Sequence, residues 1–403
     1  MNTFLYIDPG TGSMLFSLFI GITTAAVFGL RKLFIKLKFI LSSGKRDTTI
    51  DKEVLPYVIF SDHKRYWNVF SSICDEFEKL QIPLTYYTCS NDDPVLSQNY
   101  KYVKGEFIGE GNKPFVKLNF LKADKVISTT PGLDVYQWKR SKNVNKYIHI
   151  SHSIDDLSYY RMFGLDHYDV VLASGQNQID FIKKIESVRN INKKELLIVG
   201  STYMDLLLEK KKQSEVKNKS EKLTVLVAPS WGNNSILCKF GEKFLSSLSK
   251  TDFNIIIRPH PQSLTSDKNT LDYLMNKFSY MEWNFDNDNF NVMNKADILI
   301  SDFSSIIFDF SFIFNKPVIY ADTDFDTSKF DADWIDEPVW ASKALPKIGI
   351  RLDENDFDKL SEIINKLIMN EQLAAEREKL CNECWCYKGE AAKRIVNYLI
   401  NEK

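Results

Sequence analysis

Three short loops hold residue types whose chemistry exceeds what a surface turn needs. In Arg258-Pro259-His260-Pro261, two prolines stiffen the backbone and remove two N–H donors, so a guanidinium and an imidazole are presented from a rigid turn. An Arg fork beside an imidazolium suits phosphate oxygens; the plain alternative is a loop Arg with a structural His. In Ser301-Asp302-Phe303-Ser304-Ser305-Ile306-Ile307-Phe308-Asp309-Phe310, a strand end runs into an apolar helix. The first amides of such a helix and its dipole form an anion site. Asp309, four residues after Ser305, shares its helical face, where a carboxylate accepts hydrogen bonds from a ribose diol. Ordinary capping by Ser304 and Ser305 beside a surface acid is the alternative, and it leaves an acid among so many apolar neighbours unexplained. The third loop is Ser151-His152-Ser153-Ile154-Asp155-Asp156. Strand alternation sends His149 and His152 to opposite faces, against a shared metal. His152 falls at the carboxyl end of a strand, where a neutral imidazole suits a general base that deprotonates a hydroxyl at neutral pH. A structural loop His is the bland alternative.

Positioning these loops requires strands that end at them. Runs 57–60, 125–128, 147–150, 170–173 and 196–199 are short, β-branched and bounded by turn residues, with helical patterns at 66–80 and 176–185. That alternation predicts a parallel sheet with crossover helices. Residues 208–222 are highly charged and lack an apolar stripe, which reads as a solvated helix end plus linker. A second series follows, with strands at 223–228, 254–257, 298–301 and 317–320, and helices at 239–248, 304–314 and 356–369. The expected α/β architecture is two Rossmann-like halves, 47–207 and 223–375, facing a cleft, with a closing helical segment in 376–403. Ligands of such sheets sit at the carboxyl ends of strands, where all three loops lie.

Composition narrows the function classes. The 403 residues suffice for two or three domains. A charged fraction of 26% with only 12 Pro and 16 Gly excludes disordered and fibrous chains. The formal charge of −1 gives no basic excess, so no nucleic-acid partner is expected. Mean hydropathy of −0.25 excludes a polytopic membrane protein. Six cysteines are sparse for a stapled scaffold, and Cys381, Cys384 and Cys386 resemble half of a zinc knuckle without the fourth ligand a closed site needs. No metal site is expected there.

Residues 14–30 contain no charge and would span roughly 26 Å as a helix, the short end of a bilayer crossing. Arg31, Lys32, Lys36, Lys38, Lys45 and Arg46 follow without an acid among them, which leaves −7 for the rest of the chain. The positive-inside rule holds the carboxyl side in the cytoplasm. Segment 1–46 is thus expected to be an N-terminal membrane anchor that keeps the catalytic halves on the cytoplasmic side of the cell membrane; a buried core helix is the alternative.

Taken together, His152 with its polar loop, Ala228-Pro229-Ser230-Trp231-Gly232, the Arg258 to Pro261 turn and the segment 301–310 resemble the CDP-glycerol glycerophosphotransferase family over residues 147–399. The resemblance implies a GT-B fold, a CDP-activated polyol donor, a lipid-linked glycan acceptor at the membrane and no separate cofactor. It implies His152 as base, Arg258, Pro259 and His260 at the donor phosphates, Ser304, Ser305 and Asp309 on the nucleotide, and Ser230 and Trp231 in a donor-side loop. Ser153, Asp155 and Asp156 would line the acceptor side. The late segment 388–395 resembles the family's closing Gly-x-Ala-x-x-Arg pattern. Two positions depart: His152-Ser153-Ile154 replaces His-Gly-Thr, and Gly200-Ser201-Thr202-Tyr203-Met204-Asp205 places Tyr203 where Gly-x-Pro-Arg-x-Asp has Arg. Both bear on which polyol is transferred. The expected reaction is transfer of glycerol phosphate, or a related polyol phosphate, from CDP-glycerol with release of CMP. A GT-B glycosyltransferase using a nucleotide sugar and a catalytically inactive membrane-tethered scaffold are the competing expectations.

Overall fold

A computed structural model describes residues 54–214, 221–286, 288–321, 323 and 327–402. Seven strands form the first sheet: β1 (Leu55–Ser61), β2 (Leu84–Thr88), β3 (Val103–Phe107), β4 (Lys122–Ser128), β5 (Asn143–Ile150), β6 (Val170–Ala173) and β7 (Glu195–Ile198). Their order is β3-β2-β1-β4-β5-β6-β7, parallel throughout. The second sheet has β8 (Thr224–Val227), β9 (Asn254–Ile257), β10 (Glu282–Trp283), β11 (Ile298–Ser301), β12 (Val318–Ala321) and β13 (Gly349–Leu352), in the order β10-β9-β8-β11-β12-β13. Each order reverses once, between β1 and β4 and between β8 and β11. Those are the switch points at which open parallel sheets bind ligands.

Strands buried on both faces need continuous apolar runs, and β1 supplies Val58, Ile59 and Phe60, all fully buried. Each such side chain contributes about 1.5–3 kcal/mol on burial. One face of the first sheet packs against the Trp67–Lys79 helix through Phe70, Ile73 and Phe77. Ile395, Val396 and Leu399 of the Ala391–Asn401 helix complete that face, so the last helix of the chain covers the first sheet. Lys125 Nζ, reaching from β4, donates to the carbonyls of Leu399 (2.8 Å) and Glu402 (2.6 Å).

The halves meet along backbone. Met162 N donates to Lys329 O (3.2 Å), Asp331 N to Tyr160 O (2.8 Å) and Ala332 N to Ser158 O (2.9 Å). Arg189, with its side chain only 4% exposed, bridges Asp166 and Asp331 at 2.7 Å each. Losing one partner of such a buried network strands uncompensated charge.

Several elements exceed the sequence expectation. β3 and the two-residue β10 are edge strands with few apolar residues, so they leave little periodic signal. The Glu371–Cys384 helix is polar along most of its length, and its buried Leu380, Cys381 and Cys384 pack in the core. Segment 208–222 begins inside the Thr202–Gln213 helix, whose Lys211 Nζ reaches Ile313 O at 2.6 Å. The expected membrane segment 14–30 lies outside the described residues. Among the described residues no helix is long and apolar enough to cross a membrane.

Candidate active site

His152 sits just beyond β5, where the chain has left strand geometry. Its Nδ1 lies 3.0 Å from Thr129 Oγ1 and 3.2 Å from the Tyr160 hydroxyl. The same hydroxyl is 3.1 Å from His149 Nε2. The two histidines expected on opposite faces therefore share one tyrosine, because β5 ends at Ile150 and the turn that follows breaks the alternation. His152 Nε2 has no protein partner among the described residues. Burial, reinforced by the Arg65 guanidinium, lowers its pKa to about 4. At neutral pH it is an uncharged imidazole, as the base role requires.

The loop around His152 is braced from a neighbouring helix. Gln178 Nε2 donates to Ser151 Oγ (3.1 Å), Ser153 O (3.0 Å) and Asp155 O (2.8 Å). Ser153 Oγ donates to Asp155 Oδ1 (2.9 Å), which also accepts from Leu157 N (3.3 Å). Asp156 Oδ1 accepts from Ser158 N (3.2 Å), and burial raises its pKa to about 6. Ser153, Asp155 and Asp156 thus shape the loop by local bonds.

In the second half, buried Asp302 follows β11 and accepts from Ser230 N (2.8 Å) and Ile236 N (3.0 Å), tying the loop after β8 to the central strand. Gly232, at φ +89°, donates to Asp267 Oδ2 (2.9 Å) and lets this loop turn sharply. Trp231 is left half exposed with its ring 6.4 Å from His260. His260 Nδ1 accepts from Gln262 N at 3.1 Å, so the neutral ring carries its proton on Nε2 and donates there. Burial, followed by Arg65, brings its pKa to about 4. The expected imidazolium is therefore a neutral donor.

Arg258 differs from expectation too. With Pro259 it is buried, and its Nε donates to Asn289 Oδ1 (2.7 Å), its Nη1 to Asn284 Oδ1 and its Nη2 to Asp286 O (2.5 Å). The fork is spent on holding Asn284, Asp286 and Asn289. Ser304 and Ser305 behave otherwise: neither caps the Ile306–Phe314 helix with its side chain, and neither hydroxyl has a protein partner among the described residues. The amides of Ile307 and Phe308 donate to the carbonyls of Ser304 (3.2 Å) and Ser305 (3.0 Å), so it is the two hydroxyls, at the positive end of the helix dipole, that remain available to an anion. Asp309 turns inward. It is buried against the Tyr203 hydroxyl, and burial, then the charge of Asp155, raises its pKa to about 7. A ribose contact at Asp309 would require that inward pairing to change.

The structure brings His152 and His260 into the field of one cation, Arg65, and sets Asp155 near Asp309 across the halves. Sequence reasoning passed over Arg65, Thr129, Tyr160 and Gln178. Arg65 was accessible in principle, since Asp62-His63-Lys64-Arg65-Tyr66 follows β1 just as the His152 loop follows β5. The other three have ordinary residue types whose importance comes from tertiary contact.

A sequence model of the family described as CDP-glycerol:poly(glycerophosphate) glycerophosphotransferase matches residues 119–401. The chain is 29% identical over 160 residues to the teichoic acid glycerol-phosphate primase of Bacillus subtilis (strain 168), covering 38% of this chain and 39% of that protein. It is 26% identical over 229 residues to the teichoic acid poly(glycerol phosphate) polymerase of Bacillus spizizenii strain W23, covering 52% and 54%. The matches thus span about half the length, or less, of those curated relatives. The structure of the wall teichoic acid polymerase TagF aligns with a TM-score of 0.59 at 15% identity, covering 93% of this chain and 98% of that one. A putative UDP-N-acetylglucosamine 2-epimerase from Listeria monocytogenes aligns at 0.55 with 11% identity, covering 87% and 98%. These likenesses show a shared GT-B-like arrangement of two parallel α/β sheets.

Proposed function

The chain belongs to the CDP-glycerol:poly(glycerophosphate) glycerophosphotransferase family, and from that premise we propose that it transfers glycerol phosphate, or a related polyol phosphate, from CDP-glycerol to a hydroxyl of a lipid-linked glycan or polyol-phosphate acceptor. The observation that carries the reading is the placement of His152 and His260 on loops directly after β5 and β9, at the carboxyl ends of strands in the two sheets, where burial and the charge of Arg65 favour the neutral imidazole in both.

The chemistry follows from their protonation. For His152 to act as base, Nδ1–H donates to Thr129 Oγ1 or the Tyr160 hydroxyl, and the Nε2 lone pair takes the acceptor's proton. The acceptor oxygen attacks the β-phosphorus, which bears glycerol. The bond from that phosphorus to the bridging oxygen breaks, and CMP leaves with the electron pair. His260 Nε2–H and the Ser304 and Ser305 hydroxyls, at the positive end of the Ile306–Phe314 helix dipole, meet the charge that builds on the pyrophosphate. Trp231 offers a half-exposed aromatic face beside His260. Arg258 contributes indirectly, by holding Asn284, Asp286 and Asn289. A lipid-linked acceptor fits a place at the cytoplasmic membrane surface, a reading that rests on segment 1–46.

The test is incubation of purified protein with CDP-glycerol, CDP-ribitol and common nucleotide sugars, reading the nucleotide released and the new bond by phosphorus NMR. CMP with a phosphodiester product supports the proposal. A glycosidic product would replace it with sugar transfer, and absence of turnover and of CDP binding would leave a scaffold.

A further inference from the structure

Arg65 belongs to none of the motifs that pointed to the reaction. It lies in the 3-10 turn Lys64–Tyr66 directly after β1, a switch-point strand of the first sheet. The turn is fixed by His63, whose Nδ1 accepts from Arg65 N at 3.1 Å. The Arg65 side chain is exposed, donates from Nη2 to the Tyr66 hydroxyl (3.0 Å) and spreads over the Tyr66 ring at 4.8 Å. Tyr66 is itself buried, with its ring edge-on to His152 at 5.1 Å. The guanidinium is therefore held one aromatic ring away from the proposed base. Tyr66 is its sole hydrogen-bond partner among the described residues, in contrast to Arg258, whose three nitrogens are all engaged.

We propose that Arg65 binds the pyrophosphate of the nucleoside-diphosphate donor from across the cleft, supplying the guanidinium fork that Arg258 has committed elsewhere. The proposal rests on the transfer reaction above. Three physical points support it. An exposed Arg with free donors is geometrically suited to two phosphate oxygens at once. The guanidinium lies over the Tyr66 ring, whose other neighbour is His152, and its charge acts on both histidines, so a donor phosphate held between His152 and His260 would meet it. Finally, neither neutral imidazole supplies a formal charge, and the helix dipole supplies only a partial one, so a full cation at this point carries most of the compensation for the pyrophosphate.

The test compares wild type, R65Q and R65K in the full-length protein, measuring CMP release from CDP-glycerol and calorimetric binding of CDP, with thermal melting as a check on folding. R65Q is expected to melt as wild type does, because the side chain is exposed, and to lose about 100- to 1000-fold in kcat, the usual cost of one electrostatic donor. R65K, a charge without the fork, should recover part of that loss and weaken CDP less than R65Q does. R65Q turning over within about twofold of wild type overturns the assignment. If wild type binds CDP but releases no CMP from CDP-glycerol, the reaction proposed above fails, and Arg65 is judged on CDP alone: equal affinity of R65Q and wild type rejects the contact. Wild type that binds no CDP rejects both.

Discussion

The Tyr160 hydroxyl lies 3.2 Å from His152 Nδ1, while the carbonyl of Tyr160 accepts the amide of Asp331 from the other half at 2.8 Å. One residue thus touches the proposed base with its side chain and the opposing half with its backbone. The orientation of the imidazole is thereby linked to the seam between the halves.

Tyr160→Phe removes the hydroxyl and keeps the ring and the backbone bond. Thr129 Oγ1 still reaches Nδ1, so the expected loss in kcat is about tenfold, the worth of one net hydrogen bond. Adding Thr129→Ala should cost more than the two single changes multiply to, since each hydroxyl substitutes for the other. Steady-state CMP release across this double-mutant cycle is the measurement; strict multiplicativity would count against a shared role on His152.

His152→Ala should reduce CMP release by about 100- to 10,000-fold. Because the His152 pKa is lowered to about 4, the acid limb of kcat/KM should fall near that value instead of near 6.5, the range of an ordinary imidazole. A pH–rate profile bending at 6.5 would remove His152 from the role of free base.

Asp309 gives a stability prediction with a definite sign. Its folded pKa is raised from 3.8 to about 7, so the folded state holds a proton that the unfolded chain releases. That contribution is fully present below pH 3.8 and is lost as pH rises through about 7. Asp309→Asn cannot ionise, so its melting temperature should exceed wild type by at least about 2 °C at pH 8, and the difference should shrink steadily to near zero at about pH 4. Equal differences at both pH values would show that Asp309 does not carry this penalty.

Asp302→Ala leaves the amides of Ser230 and Ile236 without their buried acceptor. Each unsatisfied group costs about 1–3 kcal/mol, so the variant should melt several degrees lower and bind CDP more weakly as the Ser230–Trp231 loop loosens. Asp302→Asn keeps one acceptor oxygen and should recover part of both. Differential scanning calorimetry with and without CDP separates the two effects.

Both sheets were legible in the sequence at apolar strands, where Val58 to Phe60, Val170 to Ala173 and Ile298 to Ser301 announce themselves as runs ended by turns; the interior strand β2, reading Leu-Thr-Tyr-Tyr-Thr, was buried but missed. The edge strands β3 and β10 were not legible either, because a solvated side dilutes the pattern, whereas the more apolar edge strand β7 was expected at 196–199. Within the site, His152 and His260 stood out as rare residue types at strand ends. Their protonation states did not, since these depend on burial and on an arginine distant in sequence. Arg258 looked the obvious phosphate ligand from its neighbours in the chain, yet its partners Asn284 and Asn289 lie 26 and 31 residues away. Tyr203 likewise looked like a missing arginine, and only folding shows that it meets Asp309.

The closing helix Ala391–Asn401 carries a consequence for synthesis. Ile395, Val396 and Leu399 fill a face of the sheet whose strands are among the earliest described residues to leave the ribosome, so that face stays only partly covered, by the Trp67–Lys79 helix, until residues 391–401 have been made. The nascent first half must wait, with Ile59, Ile127 and Ile148 exposed to chaperones or to other chains, for a segment made more than 240 residues later. Premature termination anywhere in the second half would release a product with an open core, and quality control, not residual activity, would decide its fate.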